Sequence, residues 1–112
     1  MVTIDENTVG VWFIILDDIT DFMCALQQVG SNYKLTARFC YSDSNPTKNW
    51  FTADLKSGTT KEEALRFARE QIAKFEKMSG NSGCEILVHD KNLKAFHDEL
   101  RKYTNRIEVG RA

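Results

Sequence analysis

The side chains best equipped for chemistry in this sequence are His89 and His97, each followed by an acid, and the cysteines Cys24, Cys40 and Cys84. An imidazole beside a carboxylate is raw material for a general base or an activated nucleophile. Cys84 and His89 make such a pair on paper, but the spacing argues against it. If residues 84–88 are a strand, five residues of rise separate the two by roughly 16 Å, and odd spacing sends them to opposite faces. Asp17 and His89 are kept apart in the same way, at opposite ends of neighbouring antiparallel strands. His97 lies beside the stripe Leu93, Phe96, Leu100 and reads as the flank of a helix. The cysteines are odd in number and contain no C-x-x-C pair. They read as reduced, mostly buried thiols of a cytoplasmic protein. The opening residues, which lack a basic segment before an apolar run, suit that expectation.

Other constellations are weaker still. Asp17, Asp18 and Asp21 offer oxygen ligands but not the loop spacing of a calcium site, and acids are ordinary at a helix start. No glycine-rich phosphate loop precedes a helix with Gly-Lys-Ser/Thr. Neither a metal nor a cofactor is expected. The net charge is −1, from 15 Lys and Arg against 16 Asp and Glu. That balance argues against nucleic acid, whose binders carry a basic excess. The charge is uneven, since residues 1–33 hold five acids and no Lys or Arg. Such an acidic stretch either packs near basic elements of its own chain or offers a surface to a basic partner. The longest apolar run, residues 9–16, is far short of the roughly 20 residues of a membrane span.

The 112 residues, 42% hydrophobic and 28% charged, read as a single α+β domain over 1–112. Residues 9–16, VGVWFIIL, are β-branched and aromatic on both alternating sets, which predicts a central strand covered on both sides. After Asp17-Asp18, the spacing of Phe22, Met23, Leu26 and Val29 predicts a helix stopped by Gly30. Residues 32–42 alternate cleanly, and the turn 43–47 leads to a returning strand over 50–55. Thr60 with Glu63 forms a capping box ahead of a long helix carrying Leu65, Ala68, Ile72 and Phe75. Residues 84–88 predict a fourth strand. A third helix follows with the stripe Leu93, Phe96, Leu100 and Tyr103, and residues 107–109 suggest a short edge strand.

The predicted order β-α-β-β-α-β-α begins as the ferredoxin-like split βαβ arrangement, with an additional C-terminal helix. Right-handed crossovers then place the strands 4-1-3-2, with two helices on one face. The RNA-recognition module shares this order. Its aromatic signature is not met by residues 48–55, KNWFTADL, which lack the glycines and the last aromatic.

Two helices cover one face only, so the other needs the third helix, a second copy or a ligand. The expected function is therefore a non-catalytic protein–protein interaction module, a homodimer joined through its sheet face. Trp50, Tyr33, Tyr41 and Trp12 are the interface candidates. The alternative is a small-ligand-binding protein or cofactor-free enzyme with a pocket between sheet and helices. Arg38 and His89 are its ligand-binding candidates, near the pocket mouth.

Overall fold

The computed structural model describes residues 2–17, 20–40, 48–88, 93–102 and 107–109. Among these the elements run β1 (Val2–Ile4), β2 (Thr8–Ile15), β3 (Asp21–Val29), β4 (Asn32–Cys40), β5 (Lys48–Asp54), α1 (Lys61–Ser79), β6 (Cys84–Leu87), α2 (Leu93–Arg101) and β7 (Ile107–Val109). Strands β2 to β6 form one antiparallel sheet in the order β5-β4-β3-β2-β6. β1 and β7 pair in parallel as a separate ribbon.

This order overturns the ferredoxin-like split βαβ expectation. β2 to β5 pair with one another in chain order, and among the described residues α1 is the one helix before β6 returns to the other side of β2. The discrepancy lies in residues 21–29, a strand where a helix was expected. Phe22, Met23, Leu26 and Val29 fit helical spacing, but Phe22, Cys24 and Leu26 also alternate. In the sheet those three enter one core and Met23 the other. A strand buried on both faces lacks the polar alternation that would mark it, so a short apolar run fits either period. Gly30, read as a helix stop, instead shares with Ser31 the two-residue turn between the paired Val29 and Asn32, at φ 63°. Hairpin turns of this length need positive φ at the first position, which glycine adopts without strain. Asp17, read as a helix-start acid, sits at the β2–β3 corner, where its N–H donates to the Thr20 carbonyl at 3.2 Å.

The central position expected for residues 9–16 holds. Val11, Trp12, Phe13 and Ile14 are all buried. Trp12 and Ile14 enter the core under α1 with Phe22, Leu26 and Leu35. Ala64, Ala68 and Ile72 are the buried helix residues that meet them, and the small side chains of the two alanines let α1 lie close to the sheet. Thr60 caps α1 as expected, accepting from the Glu63 N–H at 3.2 Å. The Glu63 carboxylate closes the motif by accepting from the Thr60 hydroxyl at 3.2 Å rather than from its amide. Val11, Phe13, Met23 and Ile86 form the second core with Ile4 of β1 and Phe96 and Leu100 of α2. The helices thus lie on opposite faces, and α2 covers the face that the sequence left open over β6, β2 and β3. Tyr103, the last residue of the expected stripe, lies outside the described residues. Beyond α2, β4 and β5 turn a polar row to this side: Lys34 opposite Asp54 and Thr36 opposite Thr52. Among the described residues no helix is long and apolar enough to cross a membrane.

Candidate functional site

Chemistry and exposure concentrate at the two edges of the sheet. β6, at one edge, is four residues long and carries one charge, Glu85, among apolar neighbours. Its side chain lies on the α1 face, because Glu85 pairs with Trp12 in the β2–β6 ladder. The Glu85 carboxylate accepts from the Trp12 indole N–H at 2.6 Å. It also accepts from Arg69 of α1, through Nε at 2.7 Å and Nη2 at 3.0 Å. The Arg69 hydrogen bonds hold the Glu85 carboxyl below the usual carboxylate range. The indole and the guanidinium charge act in the same direction, and partial burial opposes them. Glu85 in turn pushes the Arg69 guanidinium up, chiefly through the same hydrogen bonds. Beside this node, Glu76 accepts the Gly83 N–H at 2.7 Å, tying the segment that leads into β6 to the end of α1. Gly10 keeps the ladder close here, since a Cβ at that position would stand 2.8 Å from Leu87 Cδ2 and 3.1 Å from the Trp12 ring. A cleft of about 210 Å³ opens between Trp12, Arg69, Glu76 and Cys84. The indole, the guanidinium and the Glu76 and Glu85 carboxylates around it already have partners, so the node reads as a clamp on the edge strand.

β5, at the other edge, has no strand on its outer side among the described residues. Its register with β4 shifts between Ala37 and Arg38: Phe51 pairs with Ala37, Asn49 pairs with Arg38, and Trp50 is the extra residue. A bulge of this kind re-aims a side chain. Here it turns Trp50 to the α1 face, next to Phe51. The Trp50 ring meets Phe39 edge-on at 5.4 Å and Phe75 at 6.0 Å. Phe75 stacks in turn on the buried Phe22 at 3.6 Å. Trp50 is nevertheless 54% exposed, and Met78, one turn beyond Phe75 on α1, is 75% exposed. α1 packs over β2, β3 and β4, so Phe51 and Leu55 remain partly uncovered beside it.

The other candidates are dispersed. Trp12 and Tyr33 are buried in the core beneath α1, so of the described interface candidates only Trp50 presents its ring outward. Arg38 is half-buried on the opposite face, paired with Met23 and Asn49 in the ladder. Tyr41 and His89 lie outside the described residues. The layer between sheet and α1 is filled by side chains, Trp12, Phe22, Leu26 and Leu35 among them. A second, polar cleft of about 470 Å³ opens at the far end of the sheet between Glu6, Asn7, Gln28 and Lys61. It lacks the apolar lining with converging polar groups that marks a small-molecule site. Arg38 and Trp50 line neither cleft.

Burial pushes the Cys24 thiol up to about 12, which leaves no thiolate there for chemistry. No group of three or more His, Cys, Asp or Glu among the described residues is placed to hold a metal. Nor does any buried side-chain polar atom among them lack a partner. The clamp escaped the sequence reading, although a lone charge in the apolar run CEILV was a usable signal. No family model, curated protein or solved structure matches this chain.

Proposed function

We propose that this chain is a small non-catalytic protein-interaction module that engages its partner through the β5 edge and the aromatic shoulder around Trp50. One observation carries this reading: an indole more than half exposed packs edge-on against two phenylalanines, on a strand whose outer side has no partner strand among the described residues. Rigid aromatics that can be desolvated at low entropic cost are the anchors of protein interfaces. Two of the three cysteines, Cys24 and Cys40, are buried, which suits a reducing, cytoplasmic setting.

Replacing Trp50 by photoreactive benzoylphenylalanine tests the reading inside cells, with Lys77 on the solvent side of α1 as the control position. A discrete adduct from position 50, identified by mass spectrometry and missing from position 77, is the expected result. Identical adducts from both positions, or none from position 50, sink it.

A further inference from the structure

Resting on that reading of the β5 edge, we propose that its partner is a second copy of this chain, joined β5 to β5 in antiparallel register about Ala53. The ladder dictates which groups are on offer. The Leu55 N–H donates to the Tyr33 carbonyl at 2.9 Å, so Leu55 turns its backbone toward β4. Direction alternates along a strand. Ala53 and Phe51 therefore also bond inward, while Thr52 and Asp54 turn their N–H and C=O groups to the open side. Both residues are exposed.

Among centres within β5 only one two-fold register uses these groups without conflict, and a centre at Leu55 would call on the Lys56 carbonyl, which already accepts from the Thr59 N–H and hydroxyl. Pairing an even with an odd position sets the apolar α1 face of one copy against the polar face of the other. A centre at Asp54 opposes two carboxylates directly, which is destabilising. Centres at Phe51 or Thr52 run into the Trp50 bulge, past which the faces no longer match. A centre at Ala53 sets Thr52 opposite the second copy's Asp54 and Asp54 opposite its Thr52. Each is a hydrogen-bonded pair exchanging two backbone bonds, four in all, and the threonine hydroxyl can donate to the carboxylate. On the α1 face Phe51 meets the second copy's Leu55 on either side of a small Ala53 pair, where strands approach most closely. Charges agree as well. Lys34 stands opposite Asp54 inside each copy, so the joint adds a threonine, not another carboxylate, to the far side of Asp54. The two Asp54 side chains are diagonal neighbours only. The bulge confines pairing to 51–55 and sets the Trp50 shoulder at each end of the joint.

Light scattering over a dilution series, together with disulfide capture in a Cys84→Ser background, tests this. The mass is expected to rise with concentration from 12.8 kDa toward twice that value. Ala53→Cys should be captured as a disulfide dimer under mild oxidation. Thr52→Cys should not, because diagonal partners about 7–8 Å apart are at or beyond disulfide reach. Thr52→Pro removes an outward N–H and no inward bond, so it should stay monomeric with an unchanged circular dichroism spectrum. A mass fixed at 12.8 kDa at every concentration overturns self-pairing, while the position-50 adducts still decide whether the edge binds another protein. A dimer in which Thr52→Cys is captured as readily as Ala53→Cys, or which survives Thr52→Pro, overturns this register.

Discussion

The two edges of the sheet solve one physical problem in opposite ways. An edge strand exposes unpaired N–H and C=O groups that invite another chain to pair. β6 limits that hazard by brevity and by a side-chain clamp: Glu85 ties it to the buried Trp12 of β2 and to Arg69 of α1. β5 is seven residues long, and among the described residues no side-chain hydrogen bond or ion pair ties it to α1. The bulge at Trp50 interrupts its regular pairing surface, and beyond it residues 51–55 have no partner strand on their outer side among the described residues. The tryptophans make the contrast plain, since one is 1% exposed and hydrogen-bonded while the other is 54% exposed and packs edge-on against two phenylalanine rings. An indole that belongs to the fold has its N–H satisfied inside it. The other is placed where an outside surface can reach it.

The largest expected effect breaks the comparison at its strongest point. Trp12→Ala removes a fully buried ring from the centre of the sheet, and such truncations cost about 3–5 kcal/mol. Trp50→Ala gives up edge-to-face contacts at a half-exposed site, and about 1 kcal/mol is expected. Urea titration of the two variants measures the gap. Comparable losses of stability would mean that Trp50 belongs to the fold and would remove its claim to be a contact residue. A smaller effect sharpens the comparison at the clamp itself. Glu85→Gln keeps an acceptor for the Trp12 N–H but discharges the partner of a half-exposed Arg69. A loss of at most about 1 kcal/mol follows, as for other solvent-accessible pairs. A stability unchanged within error would show that Arg69 contributes nothing through charge.

The contrast also explains what the sequence disclosed. Residues 9–16 announced a doubly buried central strand because both alternating sets are apolar, and no tertiary information was needed. The β4–β5 pair and the cap at Thr60 were legible for the same reason, since turn chemistry and capping act over a few residues. The strand at residues 21–29 was not legible, because double burial erases the alternation that separates a strand from a short amphipathic helix. That one misassignment altered the strand order and set a helix that does not exist beside α1 on one face. β1 escaped notice because its pairing partner lies at the other end of the chain, at residues 107–109. At the site level Trp50 was singled out as an interface candidate, and of the described candidates it is the one whose ring is exposed. Its facing was not readable, because the extra residue of a bulge shifts every side chain beyond it to the other side. Trp12 and Tyr33 looked equivalent to Trp50 in sequence and became core residues only when α1 was laid over them. The clamp depends on two residues 16 apart, Arg69 and Glu85, meeting across a turn and a strand, a contact that no local pattern encodes.

The smallest expected effect is the most specific to the clamp, because it follows a proton. Hydrogen bonds from Arg69 hold the Glu85 carboxyl lower in the folded chain than in the unfolded one. Its contribution to stability is therefore complete above the unfolded carboxylate pKa, about 4.3. It is lost as pH falls through the lower folded value. Other carboxylates titrate in the same range, so the wild-type curve alone does not isolate Glu85. The difference between wild type and Glu85→Gln does, because glutamine presents the uncharged state at every pH. Urea midpoints of the two proteins should stand apart from pH 7 down to about 5 and converge below about 4.3 as the native carboxylate takes up its proton. A gap that persists unchanged into acid would show that the shape of Glu85 matters and its charge does not. The β6 edge would then be held by packing, as β5 is, and the clamp would no longer set the two edges apart.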